Sequence, residues 1–204
     1  MFTGIIESLG KIVRLGKSKS NLELYIESPL SAELHLDQSV SHDGVCLTVD
    51  QLGQGWHRCT LIRETLNLTN FEDRRAGDWI NMERAMKMDS RLEGHLVQGH
   101  IDTSVSCQKI LDQDGSWVYE FNLPKVFKSM VIHKGSITIN GVSLTVSALN
   151  EDAFQVSIIP YTFHHTNFQS IQTGDRVNVE FDLLGKYIYR HLEVYPLSGL
   201  AVKF

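Results

Sequence analysis

Cysteine is scarce in this chain, with Cys46, Cys59 and Cys107 the three thiols among 204 residues. Their number is odd and their spacing is not that of a metal motif, which argues against a disulfide framework and for reduced thiols in a cytoplasmic protein. A basic excess is also missing, since 19 Lys and Arg face 24 Asp and Glu. That excludes the electrostatic footprint of a nucleic-acid binder. No apolar run approaches the roughly 20 residues of a membrane helix, and the first residues lack the charged-then-apolar pattern of a signal peptide. The glycines follow no GxxxxGK pattern, so no triphosphate cradle is expected.

The chain does contain itself twice. Near its midpoint, residues 92–105 read LEGHLVQGHIDTSV, with His95 and His100 each following a glycine. This seam places Gly99 against Gly4 of the opening Phe2-Thr3-Gly4-Ile5-Ile6. Further motifs return in order and at one offset. Gly44-Val45-Cys46-Leu47-Thr48 returns as Gly141-Val142-Ser143-Leu144-Thr145, and Thr69-Asn70-Phe71 as Thr166-Asn167-Phe168. Gly77-Asp78-Trp79-Ile80-Asn81-Met82-Glu83 returns as Gly174-Asp175-Arg176-Val177-Asn178-Val179-Glu180. The expected units are 1–97 and 98–181, each of about 100 residues and able to bury a small core, followed by 182–204.

Within each unit the signals are those of short strands. Residues 22–27 alternate apolar and polar, and Pro29 ends the run as Pro124 ends its counterpart. Asp43-Gly44 and Asn140-Gly141 are tight hairpin turns, because glycine accepts positive φ without a steric penalty. Residues 4–15 read as a strand broken by Gly10, and a short helix or turn is expected after each proline. Many strands with regular turns and little helical periodicity predict a small closed β-barrel in each half. The exception follows Asp182, where Leu183, Leu184, Tyr187, Ile188 and Leu192 form one apolar helical stripe, Asp182 is placed to cap it and Pro196 lies beyond. That stripe needs a surface to cover, either on another chain or on its own barrel.

Chemistry is expected where the two copies diverge. His100 stands where the first copy has Ile5, and histidine suits proton transfer near neutral pH. Cys46 diverges against Ser143 just past a hairpin turn, where both are also simply small residues in tight space. Thr48 with Thr145 and Thr65 with Thr162 are retained in both copies, lining a polar ligand or serving as good strand residues. Arg63 and Glu64 face no equivalents at Pro160 and Tyr161 and read as surface charge. His95 and His100 have no companion ligand at zinc spacing, so no metal site is expected.

Four motifs in this order resemble riboflavin synthase: Met1-Phe2-Thr3-Gly4-Ile5-Ile6-Glu7, Asp43-Gly44-Val45-Cys46-Leu47-Thr48, Gly94-His95-Leu96-Val97-Gln98-Gly99-His100 and Asn140-Gly141-Val142-Ser143-Leu144-Thr145. The similarity runs from Met1 to about Leu192 and includes the duplication; residues 194–204 fall outside it. It implies an all-β fold of two tandem six-stranded Greek-key β-barrels with a C-terminal α-helix joining three chains. The implied reaction is the dismutation of two 6,7-dimethyl-8-ribityllumazine molecules to riboflavin and 5-amino-6-(D-ribitylamino)uracil, the last step of riboflavin biosynthesis. No metal and no organic cofactor is implied; lumazine synthase is a candidate partner. Identical substrates suit homologous pockets, and holding them face to face makes a bimolecular step nearly intramolecular.

The resemblance also implies site residues. One pocket takes Cys46, Leu47 and Thr48, then Thr60, Leu61, Ile62, Arg63, Glu64 and Thr65, with Gly99, His100 and Ile101. The other takes Gly4, Ile5 and Ile6, then Ser143, Leu144 and Thr145, with Ser157, Ile158, Ile159, Pro160, Tyr161 and Thr162; Lys134 is a further contact. Phe2, Cys46, His100, Ser143 and Asp182 are expected to carry catalysis, His100 as proton carrier, Ser143 and Asp182 at the acceptor, Cys46 positioning the donor. The chain departs from the family pattern at Glu93, where glycine is common, and at Tyr161, where Glu or His is frequent. A competing expectation is a lumazine-carrying antenna protein, which shares the repeat but typically lacks the histidine found here at His100. A blander one is a trimeric binder of another small ring.

Overall fold

The computed structural model describes residues 1–195; Pro196 and the rest of the tail lie outside the described residues. Strands β1 (Ser8–Ser18), β2 (Asn21–Glu27), β3 (Ser39–His42), β4 (Val45–Gly53), β5 (Trp56–Leu61) and β6 (Trp79–Arg84) close into a barrel in the order β1-β2-β5-β4-β3-β6. Strands β7 (Thr103–Asp112), β8 (Trp117–Asn122), β9 (Ser136–Ile139), β10 (Val142–Leu149), β11 (Ala153–Ile158) and β12 (Arg176–Phe181) close in the same cyclic order. Neighbours are antiparallel throughout, and the β2–β5 and β8–β11 pairings bypass the intervening hairpin in the Greek-key manner. Among the described residues, closure leaves no open sheet edge.

Alternation sets what faces inward. In β5, His57, Cys59 and Leu61 are buried while Trp56, Arg58 and Thr60 are half-buried. Phe71 and Phe168 plug matching ends of the two cores, both fully buried. Gly10 does not break β1, contrary to the sequence expectation. A Cβ there would lie 2.5 Å from Met82 Sδ and 2.6 Å from Ile26 Cγ2, so the missing side chain is space for the core. Short 3-10 turns follow both prolines, at Pro29–Glu33 and Lys125–Met130. Two short helices were not anticipated, α1 (Arg63–Leu68) and α2 (Pro160–His165). At one and a half turns each, they are too short to show a helical period. Helix α3 (Leu183–Val194) starts at Asp182, whose carboxylate accepts the Leu184 amide at 3.0 Å.

A buried polar layer joins the barrels. Turns Asp43-Gly44 and Asn140-Gly141 meet back to back, so that a Cβ on either glycine would lie 2.8 Å from the other's nitrogen. Around them, Asn81 Nδ2 donates to Asn140 O (2.8 Å) and Asn167 Oδ1 (2.9 Å), while Asn178 Nδ2 donates to Asp43 O (3.0 Å). Asn70 and Asn167 donate their amides to Asn178 Oδ1 and Asn81 Oδ1, each at 2.8 Å. One pair of positions breaks the symmetry. Asp43 is ion-paired with Arg74 at 2.5 Å, and the second copy has Asn140 and Ile171 in their places, charge and countercharge lost together.

Removing one partner of a buried pair leaves an uncompensated charge, whereas removing both need not. Arg74→Ile is therefore expected to cost about 3 kcal/mol and Asp43→Asn/Arg74→Ile about 1 kcal/mol or less. Urea unfolding of the full chain measures both, and equal losses would contradict the pairing.

Candidate functional site

The site is built by two leader segments that cross between barrels. Residues 2–4 precede β1 and residues 97–101 precede β7. The leaders first pair with each other, Phe2 N donating to Val97 O at 2.7 Å and Val97 N to Phe2 O at 3.1 Å. Each then lies on the mouth of the opposite barrel. Gly4 O accepts the Ser143 amide at 2.8 Å, and Gly99 O accepts the Cys46 amide at 2.9 Å. Both glycines are left-handed, with φ of +77° and +82°. A Cβ on Gly4 would fall 2.5 Å from Ser143 Cβ, and one on Gly99 2.5 Å from Cys46 Cβ. Only glycine allows this approach.

Each leader is held by a carboxylate of its own barrel. Glu83 accepts Thr3 N (2.7 Å), Thr3 Oγ1 (2.8 Å) and Gly4 N (2.9 Å). Glu180 accepts Gln98 N (2.7 Å), Gly99 N (2.8 Å) and His100 N (2.9 Å). Burial pushes both carboxyl pKa values up, and these donated hydrogen bonds oppose the shift. Sequence reasoning quoted both glutamates inside a repeated motif and gave them no role. Their recurrence two residues after a buried asparagine in each copy was the available signal.

The expected pocket residues divide by element. Cys46, Leu47 and Thr48 lie on β4, Thr60 and Leu61 end β5, and Ile62, Arg63, Glu64 and Thr65 begin α1. In the second barrel Ser143, Leu144 and Thr145 lie on β10, Ser157 and Ile158 end β11, and Ile159, Pro160, Tyr161 and Thr162 begin α2. Leu47, Leu61 and Ile158 point their side chains into the cores, so only their backbones can face a ligand. Ile5 and His100 are exposed, and Ile6 and Ile101 pack partly against the second and first cores respectively. Lys134 sits in the turn before β9 at φ +65°. Phe2 is wholly buried, which closes its ring to solvent.

His95, set aside in the sequence, is drawn into the second mouth. Its Nδ1 is 2.7 Å from Ser143 Oγ and its Nε2 is 3.1 Å from Thr138 Oγ1. Burial lowers its pKa while the Asp182 carboxylate raises it, and the net direction is down. His95, Ser143 and Asp182 therefore share one electrostatic neighbourhood, while His100 follows Gly99, whose carbonyl is seated on the Cys46 amide. Glu93 is exposed, and Tyr161 is an exposed ring stacked on His165 at 4.1 Å.

Both mouths are open, with Ile5, Ile62, Glu64, Ile159 and Tyr161 exposed. A cleft of about 640 Å3 beside the first leader takes in Thr3, Ile5, Glu83 and Arg84, and a cavity of about 680 Å3 takes in Arg63, Leu66 and Phe71. Each touches a single expected pocket residue. Helix α3 docks its start on the second barrel, where Lys186 Nζ meets Asp102 at 2.6 Å. Beyond that, Leu184, Tyr187 and Ile188 are 71%, 70% and 62% exposed. No helix of the described residues is long and apolar enough to cross a membrane.

A duplicated barrel with one leader-covered mouth per copy defines a tandem small-molecule-binding protein. The chain belongs to the lumazine-binding domain family, which matches residues 3–85 and again 98–182. Riboflavin synthase of Bacillus subtilis (strain 168) is 38% identical, the match covering 94% of this chain and 90% of that protein. Riboflavin synthase of Actinobacillus pleuropneumoniae is 37% identical over 100% and 97%. A crystal structure of LumP complexed with riboflavin matches with TM-score 0.84 at 22% identity, covering 89% of this chain and 99% of that one. The last shows a shared fold.

Two outcomes are expected here. Glu180→Ala should speed amide exchange at Gln98, Gly99 and His100 roughly tenfold or more while leaving Gly4 unchanged. Uniform acceleration at both leaders would mean that the clamps are not independent. For His95, the depressed folded pKa means that its stabilising contribution is present above the unfolded value of about 6.5 and lost as pH falls through the folded value. His95→Gln should therefore flatten the acid limb of the stability–pH curve below about pH 6.5.

Proposed function

We propose that this chain is a riboflavin synthase, a transferase that moves a four-carbon unit between two identical 6,7-dimethyl-8-ribityllumazine molecules, giving riboflavin and 5-amino-6-(D-ribitylamino)uracil. The observation that carries the reading is the reciprocal seating of Gly4 on Ser143 and Gly99 on Cys46, which makes two matched mouths that differ in their polar groups. Full-length relatives named riboflavin synthase support it.

In this reading each barrel, 1–97 and 98–181, binds one lumazine. The first mouth presents Cys46, His100 and the α1 segment; the second presents Ser143, the α2 segment and Asp182. The donor and acceptor must lie face to face, and each open mouth is completed by the opposite mouth of another chain. The exposed stripe of α3, within 182–204, supports a homotrimer that builds such contacts. His100 moves the proton lost from the acidic C7 methyl of one lumazine. Ser143, hydrogen-bonded to His95, and Asp182 polarise the acceptor. Phe2, through its pairing with Val97, and the two glutamates position the leaders. No metal or organic cofactor takes part in the transfer. The enzyme works in the cytoplasm, with lumazine synthase as its candidate partner.

The second reading is a lumazine carrier, favoured by the fold shared with LumP. His100 discriminates, since a carrier has no proton to move. The purified protein is incubated with 6,7-dimethyl-8-ribityllumazine in EDTA and riboflavin is quantified against time. One riboflavin per two lumazines is expected, with His100→Gln lowering kcat about a hundredfold or more. Tight binding without riboflavin would select the carrier instead.

A further inference from the structure

The first barrel hides three polar groups where its sister needs none. His42, His57 and Cys59 are all fully buried inside it. At the repeat offset their counterparts are Ile139, Phe154 and Val156, at 0%, 1% and 0% exposure. The matching register pairs, His42 with Val45 and Ile139 with Val142, fix the equivalence. The fold is therefore satisfied by apolar residues at these places, and burying polar ones costs free energy unless they are partnered.

The partners are one another. His42 Nε2 lies 2.8 Å from His57 Nε2 and 3.9 Å from Cys59 Sγ. His42 Nδ1 donates to Val40 O at 3.1 Å, which leaves its Nε2 lone pair facing the cluster. His57 Nδ1 is 2.8 Å from Ser31 Oγ, a hydroxyl able to donate or accept, so His57 can also turn an unprotonated Nε2 inward. Two imidazole nitrogens and one sulfur thus converge within 4.8 Å. All three side chains lie in the buried interior of the first barrel.

We infer that His42, His57 and Cys59 form a buried trigonal site for a copper(I) ion, set by the juxtaposition of two imidazoles and a thiol in a core whose sister copy is wholly apolar there. Soft thiolate with imidazole selects copper(I) or zinc, and a trigonal arrangement of two histidines and one cysteine is a copper geometry. Structural zinc takes four ligands, and this pocket offers three with no exposure to admit a water. Charge decides the same way. Copper(I) with one thiolate is neutral, whereas zinc would leave a net positive charge in an apolar core. The nearby buried carboxylate, Asp43, is already held by Arg74 at 2.5 Å. Met82, across from His42 in the ladder and fully buried, adds a soft thioether to that end of the core.

Binding forms one sulfur–copper and two nitrogen–copper bonds. The Cys59 thiol gives its proton to solvent, and the proton on His57 Nε2 is exchanged for one on Nδ1, which then donates to Ser31. The two Nε2 atoms part by roughly 0.6 Å to seat the ion at metal–nitrogen distances of about 2 Å. The ion is structural and has no part in the four-carbon transfer.

The test is the metal content of the full chain expressed in copper-supplemented medium and purified without chelator. About one copper per chain is expected, with X-ray absorption showing one sulfur and two imidazole nitrogens in its shell. His57→Phe and Cys59→Val, which install the sister's residues, should each lower the copper roughly tenfold or more, while Cys46→Ser retains it. Absence of copper from the parent protein, zinc in its place, loss with Cys46→Ser, or a shell without sulfur would each overturn the assignment. The absorption measurement on the parent stands even where a variant does not fold.

Discussion

The structure depends on the polar layer where hairpin turn 43–44 meets turn 140–141. Each turn brings a backbone carbonyl that the other barrel's asparagine satisfies, Asn81 on Asn140 O and Asn178 on Asp43 O. Buried amides need fixed partners at fixed distances, so the layer specifies one relative placement of the barrels, which an apolar contact would leave free to slide. That placement matters at the mouths. A leader reaches the opposite barrel only because the barrels are set so that Gly4 O meets Ser143 N and Gly99 O meets Cys46 N. The relative placement of the two mouths thus follows from this layer.

Within this frame the copies have diverged in compensated groups. Asp43 and Arg74 became, or came from, Asn140 and Ile171 as a pair. A carboxylate without its guanidinium would be a buried charge, and a guanidinium without its carboxylate an unmatched one. His42, His57 and Cys59 stand against Ile139, Phe154 and Val156 as a triple for the same reason. By contrast Cys46 and Ser143 changed singly. Both are half-buried and both donate their amide to a leader carbonyl, which fixes the backbone whichever side chain stands there; in the second copy Ser143 Oγ also meets His95. A position that diverges alone is under no such tie; positions that diverge as a group are bound to one another by their contacts.

The sequence carried much of this and withheld some. Repeats and glycine turns were legible because they record backbone geometry, so the two barrels and α3 with its Asp182 cap are found as expected. Gly10 misled because a glycine that makes room looks the same in sequence as one that bends the chain. Helices α1 and α2 were hidden by their length. His95 was hidden for a different reason. Its partners Ser143 and Thr138 are more than forty positions away, and no periodicity reports a contact across the seam. Phe2, expected to carry catalysis, is wholly buried and pairs with Val97, which makes it an anchor of the leader. The His42–His57–Cys59 cluster escaped because its members lie on strands that do not pair, β3 and β5.

The openness of the mouths is itself an argument about the reaction proposed. A carrier of a single ring gains by enclosing it, since burying most of a ligand's surface is what holds it. A catalyst that must set one ring against another cannot close either pocket within one chain, because the open side is where the second ring arrives. The leaders cover one flank of each mouth, and in the reading proposed the exposed face of α3 brings another chain's mouth to the other. On that reading the apparent incompleteness of the single chain is a geometric requirement. Most of the barrier reduction then comes from holding two bound rings in contact, an effect worth several kcal/mol before any side chain moves a proton.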